Sequence, residues 1–539
     1  MKPILIRCDA SFLIGSGHVM RCRTLARELK RCGAEVSFLC RRQPGDLISL
    51  LEQEFAVLAL PEQSLSACDG LEGRDLYGSW LGCTQEQDVH QCLEVLAVAG
   101  INSVSWVVAD HYGLDICWEV QLLSGLSGGD LAPQLLVIDD LADRRHQADL
   151  LLDQNFFGDV THKRYQDLAS SQCRQLLGPQ YALLGPEYAQ LHPLVPPRTE
   201  LRRLLVFFGG VDPDNLTGRV LEALLDPSLA DLTVDVVLGL QSPHRKVVEE
   251  LVALRPHTTL HLPLPSLAGL IARADLAIGA GGATTWERAC LGLPSVVVAI
   301  AANQLPFAKA LDRAGYLQLL GASDSVSIAQ IRSALLQKLA DHSVDEISTA
   351  LTDGYGASRL SLAMVGISRA SISLRPAVSA DEALLLHWAN DPQVRANSFS
   401  PEQIAPADHH HWFQQGLTNP NRLLLIALAA DGCPIGQIRF DRQAQCSQSD
   451  AKVALIDLSL DCCARGQGLA VELVRLGLLA MKQQWGEGTH AVAEVLPNNT
   501  ASNACFASAG FTEESALVMT HPPLSRSVNR WRWRPVSAS

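Results

Sequence analysis

The chain has 539 residues, 57 acidic and 43 basic, for a net charge of −14, which excludes a general nucleic-acid binder because phosphate backbones need a basic face. A single nucleotide held by backbone N–H groups is still compatible with that charge. With 19% charged and 47% hydrophobic residues the composition is that of an ordinary globular protein, and the length suits roughly three or four domains. Fifteen scattered cysteines without a CxxC spacing read as reduced thiols, so a cytoplasmic setting is expected. No apolar run reaches the ~18 residues of a membrane span. The opening "MKPILIRCDA" reads as a strand and not as a signal peptide.

In chain order, "PILIRCD" is a buried strand and "VMRCRTLARELKRCG" a helix that stops at Gly33; "AEVSFLC", "SWVVAD", "QLLVIDD" and "ADLLLD" follow as strands. Short apolar strands between amphipathic helices indicate a parallel sheet covered on both faces. A Pro-rich linker, Leu191–Glu200, precedes a second run of the same kind: "RRLLVFFGG", "LTVDVVLG", "ADLAIGAGG" and "LPSVVVAI". From "ASISLRPAVSADEALLLHWAND" the pattern becomes α+β, with a hairpin turning at Asp431-Gly432. "NRWRWRP" near the C-terminus alternates as a last, edge strand.

Three loops stand at strand ends of the first 370 residues. "IGSGHVMRC" places His18 behind two glycines, where it could serve as base, ligand or helix cap. "FFGGVDPDNLTGRV" holds Gly210 and lets Asp212 cap a helix with Pro213 at its first position. "IGAGGATTWERACLGLPSVVVAI" lets a diphosphate approach the N–H groups of Ala283 and Thr284 over Gly281 and Gly282. No metal is expected: "DPD" at 212–214 reads as a cap, and "HHH" at 409–411 lies on a helix, where successive side chains diverge.

The wording "DASFLIGSGHVMRCRTLA", "VVADHYGLDICWE", "VIDDLADRRHQADLLLDQN", "LLGPQYALLGPEY" and "GAGGATTWERACLGLPSVVVAIAANQ" resembles the UDP-2,4-diacetamido-2,4,6-trideoxy-β-L-altropyranose hydrolases of pseudaminic acid biosynthesis. The resemblance covers residues 1–360 and implies a glycosyltransferase B-like fold that passes its sugar to water. It implies that His18 is the catalytic base, a task suited to an imidazole at neutral pH. Asp9, Arg7 and Ser11 then orient His18 or bind sugar, although a plain salt bridge and cap explain them equally well. Gly17 keeps the site open, and Tyr112 and Asp115 are sugar-side candidates. Glu287 is placed on the ribose hydroxyls, with Thr284, Asn303 and Gln304 as further sugar or phosphate contacts.

In "KVALIDLSLDCCARGQGLAVELVRLGLLAM", residues Arg465, Gly466, Gln467, Gly468 and Ala470 have the R-x-x-G-x-A spacing, in which successive N–H groups wrap a pyrophosphate. A Rossmann-type dinucleotide loop is the rival, but it needs a repeating βαβ unit. With "AEVLPNNTASNACFASAGF", this part resembles the GNAT acetyltransferases over residues 370–515, implying acetyl-CoA as co-substrate and Asn499 and Asn503 as cofactor contacts. Many members carry a tyrosine acid where this chain has Phe506, which leaves the general acid open; Glu494 is a candidate proton relay or a surface residue. The expected fold class is therefore α/β: two facing doubly wound Rossmann-like domains over 1–195 and 196–366, then an α+β acetyltransferase domain over 370–539. The expected protein is a bifunctional enzyme that acetylates a UDP-linked 4-amino sugar and hydrolyses the UDP-diacetamido product. A glycosyltransferase fused to a non-catalytic acyl-CoA module is the alternative.

Overall fold

A computed structural model describes residues 3–63, 71–126, 132–239, 242–262, 264–340, 351–443, 452–521 and 524–535. The chain divides into two compact units, Met1–Ser361 and Leu362–Ser539. In the first unit β1 (Ile4–Cys8), β2 (Val36–Arg41), β3 (Ala56–Leu60), β4 (Trp106–Asp110), β5 (Gln134–Ile138), β6 (Leu150–Asp153) and β7 (Arg174–Leu177) form one sheet. Its order is β3-β2-β1-β4-β5-β6-β7 and every pairing is parallel. Helix α1 (Gly17–Arg31) follows β1, while α2 (Gln85–Val98) and α3 (Ile116–Leu126) flank β4. Val19, Cys22, Leu25, Ala26 and Leu29 recur at helical spacing and form the buried side of α1. The positive φ of Gly33 (84°) ends that run.

The same unit holds a second parallel sheet, β8 (Arg203–Phe207), β9 (Thr233–Val237), β10 (Thr258–His261), β11 (Leu276–Ala280), β12 (Ser295–Ala299) and β13 (Gln318–Ala322), ordered β10-β9-β8-β11-β12-β13. Its strands are apolar on both faces. Leu204, Val206, Ile278, Val296 and Val298 enter one core cluster, whereas Leu205, Ala277 and Val297 enter the other. That alternation is the two-residue period of a strand covered on both sides. Helices α4 (Leu216–Ala223), α5 (Thr284–Cys290) and α6 (Gln304–Arg313) follow β8, β11 and β12.

The second unit is built on a mixed sheet of β14 (Ser373–Pro376), β15 (Arg422–Leu428), β16 (Pro434–Arg442), β17 (Lys452–Leu460), β18 (Thr489–Val495), β19 (Thr512–His521) and β20 (Leu524–Trp533). The order is β14-β15-β16-β17-β18-β20-β19. The β15–β16 hairpin turns at Gly432 as expected (φ 84°). "NRWRWRP" does form the last strand, but β20 pairs with both β18 and β19 and is not an edge. Trp531 on it donates to Asn503, which fixes an interior position the alternation alone did not reveal. The unit also contains helices α7 (Pro406–Thr418), α8 (Ala470–Trp485) and α9 (Thr500–Ser508), with further helices at Glu382–Asn390 and Pro392–Ala396. No helix among the described residues is long and apolar enough to cross a membrane.

Candidate functional site

In the first sheet the strand order reverses between β1 and β4, the crevice where open α/β sheets bind ligands. β4 ends in Asp110, the register partner of Cys8 at the end of β1. His18 is the second residue of α1, and its Nδ1 lies 2.6 Å from Oδ1 of Asp110. An ionised carboxylate only accepts, so Nδ1 carries the proton and the lone pair stands on Nε2. No hydrogen bond from the described residues reaches Nε2.

Asp110 is itself fixed. Arg21 donates from Nε to Oδ2 (2.7 Å) and from Nη2 to Oδ1 (2.6 Å), and the Cys22 thiol adds 3.3 Å to Oδ2. Burial by itself would raise this carboxyl, but Arg21 and His18 outweigh it and hold it well below the usual carboxylate range. Arg21 also reaches Asp140 (Nη1 to Oδ2, 2.7 Å), which accepts from the Tyr112 hydroxyl at 2.6 Å. The Tyr112 ring stands edge-on to His18, centroids 4.5 Å apart. Nδ2 of Asn303, just past β12, donates to the Tyr112 hydroxyl at 3.2 Å. Thus His18, Tyr112 and Asn303 from the sequence reading come together. Arg21, Asp110 and Asp140 were missed. The available signal was an acid ending a buried strand at its carboxyl edge, as in "VVAD" and "VIDD".

Arg7 and Asp9 lie elsewhere, fully buried. Arg7 donates to Asp9 (2.6 Å) and to Asp88 (3.2 and 2.8 Å), and Arg41 donates to Asp88 (2.6 Å) and from its backbone N to Asp9 (2.7 Å). These two cations and two anions balance, and Asp9 is not among the partners of His18. Ser11 Oγ accepts from the N–H groups of Leu13 and Ile14 (3.2 and 3.1 Å), closing its own loop. Gly17 is exposed with open space where a Cβ would stand. Asp115 accepts from Cys117 N (2.9 Å) at the start of α3 and lies 3.6 Å from Arg74.

In the second sheet the order reverses between β8 and β11, so Gly210 and the Gly281-Gly282 turn stand at its crevice. Gly239, after β9, packs on Gly210: a Cβ there would lie 1.8 Å from the Gly210 carbonyl oxygen, so only glycine fits. Asp212 does cap, accepting from Leu216 N and Thr217 N at 2.9 Å each. Pro213, however, does not open the helix. Asn215, at φ 52°, interrupts the chain and becomes the N-cap, so α4 begins at Leu216. Thr284 opens α5. Gln304 accepts from Ile300 N (3.0 Å) and lies beside Gly281 and Gly282. Glu287, in the first turn of α5, keeps a buried Oε2 without a hydrogen-bond partner. Burial pushes its carboxyl up to about 7, against the opposing pull of the Tyr188 hydroxyl and Arg288.

In the second unit β17 and β18 pair only from Lys452–Leu455 to Thr489–Val492, although β17 runs on to Leu460 and β18 to Val495. The strands therefore part into a notch, with Glu494, which pairs with Arg530 of β20, on the stretch of β18 that has left β17. The loop after β17 turns through Gly466 (φ 75°) and Gly468 (φ 69°) into α8 at Ala470. This left-handed geometry favours glycine. Arg465 folds back, Nε to Leu460 O (3.0 Å) and Nη1 to Asp391 (2.9 Å) and Gln393 (3.1 Å). Gln467 donates to Cys463 O (2.8 Å) and accepts from Ile367 N (2.7 Å). These two side chains build the loop, and what they leave for an anion is its backbone.

Asn499 caps α9 through Ser502 N (3.1 Å). Asn503 accepts from Trp531 Nε1 (2.8 Å) and Asn529 Nδ2 (3.2 Å) and donates to Leu496 O and Asn499 O (3.1 and 2.9 Å), which engages its whole amide. Phe506 is buried against Phe511. All 7 tyrosines of the chain lie between positions 77 and 355, so the second unit contains no phenol at all. On α7, His409 stacks on Phe413, His410 meets Glu382 and His411 meets Gln415, so the three rings diverge.

Residues 371–512 match the family model of the acetyltransferase (GNAT) domain. Over 524 residues the chain is 22% identical to the uncharacterized protein MJ1062 of Methanocaldococcus jannaschii, covering 94% of this chain and 96% of that one. The N-terminal part is similar to the spore coat polysaccharide biosynthesis protein SpsG of Bacillus subtilis: 28% identity over 212 residues, 38% of this chain and 61% of the relative. The crystal structure of MurG from Acinetobacter baumannii is similar at 14% identity and a TM-score of 0.43, over 67% of this chain and 98% of that one. The C-terminal part is thus a GNAT acetyltransferase domain, preceded by an N-terminal part similar to SpsG.

Proposed function

We propose that the first unit hydrolyses UDP-2,4-diacetamido-2,4,6-trideoxy-β-L-altropyranose to UDP and the free sugar, in pseudaminic acid biosynthesis. We propose that the second unit N-acetylates the 4-amino group of the UDP-linked precursor with acetyl-CoA. The observation that carries the first reading is the His18–Asp110 pair at the sheet's reversal point. With Nδ1–H given to Asp110, Nε2 takes a proton from water as the water oxygen bonds to the anomeric carbon. The bond from that carbon to the diphosphate oxygen breaks, and UDP leaves with the electron pair. Asp110 steadies the imidazolium that forms, and the similarity to SpsG supports a carbohydrate substrate.

UDP would lie across the second sheet, its diphosphate near Gly210, Gly281, Gly282 and Thr284, its ribose on Glu287. The unpartnered Oε2 supports that placement, because a diol donates the bonds it lacks. In the second unit the notch and the Gly466–Gly468 turn fit the thioester arm and pyrophosphate of acetyl-CoA. The amine nitrogen attacks the thioester carbon, CoA thiolate leaves, and the amine gives up a proton, for which Glu494 is the acceptor on the notch. With no tyrosine in this unit, the thiolate takes its proton from water.

Two measurements test this. His18→Asn should lower UDP release by ~10²–10⁴-fold, the yield of a general base, with UDP affinity kept; retention of most of the rate overturns the role. Given the UDP-4-amino sugar alone, the full chain should release little UDP, and acetyl-CoA should start release after a lag. Prompt release without acetyl-CoA overturns the order of the two steps.

A further inference from the structure

The glycine turn of the second unit has a neighbour outside the matched domain. A Cβ placed on Gly468 would stand 2.3 Å from Nη2 of Arg369, so this guanidinium lies directly against the turn. Arg369 opens a short 3-10 segment, Arg369–Ser371, two residues before the match begins at 371. The stretch leading to it is tied to the same turn, because Ile367 N donates to Gln467 Oε1 at 2.7 Å and Gln467 Nε2 donates to Leu362 O at 3.3 Å. Arg369 is exposed, and no carboxylate among the described residues pairs with it.

Arg465, the arginine of the motif, is differently placed. Its guanidinium is bound to Asp391 and Gln393, and its Nε to the Leu460 carbonyl. Of the two arginines at the turn, Arg465 is neutralised by an acid, and Arg369 meets none among the described residues. The turn supplies N–H groups to a pyrophosphate but no net charge of its own.

We infer that Arg369 is the cation that meets the phosphates of the acyl-CoA co-substrate at the Gly466–Gly468 turn, with Arg465 serving to brace the loop. This rests on the reading of the second unit as an acetyl-CoA site. A flat guanidinium forks onto phosphate oxygens, and its place beside Gly468 lets it share one anion with the backbone N–H groups. Specificity for a phosphorylated carrier over a bare pantetheine arm then resides in a residue of the segment preceding the domain.

The experiment is titration calorimetry of the full chain with CoA, 3′-dephospho-CoA and pantetheine. Arg369→Ala should weaken CoA binding roughly tenfold or more, the scale of one charge-assisted phosphate contact, and Arg369→Lys should restore part of it. A loss shared by 3′-dephospho-CoA assigns the contact to the pyrophosphate, and a loss confined to CoA assigns it to the 3′-phosphate. Pantetheine affinity should be the same in wild type and variant. Unchanged or tighter CoA binding in Arg369→Ala overturns the inference, as does an equal loss for pantetheine, which would mark a structural role. Wild-type chain that binds none of the three fails the underlying reading instead, and the two failures are therefore distinct.

Discussion

The loop before α1 and the loop before α8 both carry glycines from a strand into a helix, but they present chemistry through different atoms. In the first, the working part proposed is a side chain. His18 is locked by Asp110, Asp110 by Arg21, and Arg21 by Asp140, so each polar atom is placed by the next. In the second, the side chains of Arg465 and Gln467 are spent on the loop, and the proposed anion contact falls to the backbone around two left-handed glycines. Moving a proton needs one group in one tautomer, which only a buried network can guarantee. Holding a diphosphate needs several donors converging on a curved anion, and main chain does that without fixing any rotamer.

The contrast can be broken from either side. The largest effect is expected at Asp110. Asp110→Asn removes the charge that fixes the Nδ1–H tautomer and should cut hydrolysis by ~10³–10⁴-fold, as loss of an orienting acid does in related constellations. Arg21 loses its buried partner as well, so the melting temperature should fall; acetyl transfer at saturating acetyl-CoA should persist. Hydrolysis near the wild-type rate would show that side-chain orientation is not what the first loop supplies. Next is Gly468→Ala. A left-handed φ costs an alanine ~1–2 kcal/mol, and the new methyl would meet Arg369, so acetyl-CoA affinity should fall about tenfold in calorimetry with hydrolysis unaffected.

The smallest and most diagnostic effect concerns Glu287, whose carboxyl is raised by burial from 4.5 to about 7. A ribose diol needs the ionised form, so UDP affinity should climb as pH rises through about 7 and level off above it. In Glu287→Gln that slope should vanish and binding should weaken. Stability has the opposite sign: between 4.5 and about 7 the folded state holds a proton that the unfolded state has lost, so Glu287 costs stability as pH rises through this window. Ligand-free Glu287→Gln should thus melt higher than wild type at pH above 7. A variant that melts no higher would mean the carboxyl is not poised as described.

Much of this architecture was legible. Uniform apolar runs such as "LLVF" and "SVVVA" announce parallel strands buried on both faces, and glycines at their carboxyl ends announce the crevices. The short outer strands β3, β7, β10 and β13 were not read, because half-exposed segments such as "TTLH" carry no continuous apolar run. The partner of His18 was also hidden. Asp9 is near in sequence, whereas Asp110 is near only because β1 and β4 are neighbours, a fact of strand order that periodicity does not encode. Likewise the parting of β17 from β18 is a matter of register, and neither strand signals where its pairing stops. Phe506 is different in kind: that its ring has no hydroxyl is visible in one letter and depends on no contact in the fold.

The distribution of phenols has an optical consequence. Every tyrosine belongs to the first unit, and one of them, Tyr112, touches the imidazole of His18 edge-on and hydrogen-bonds Asp140. Any tyrosine band in the near-ultraviolet spectrum of the intact chain therefore originates in the first unit, whatever happens in the second. The protein carries a built-in chromophore set that marks its first unit without a label, and a change in that band on adding a ligand reports a response of that unit.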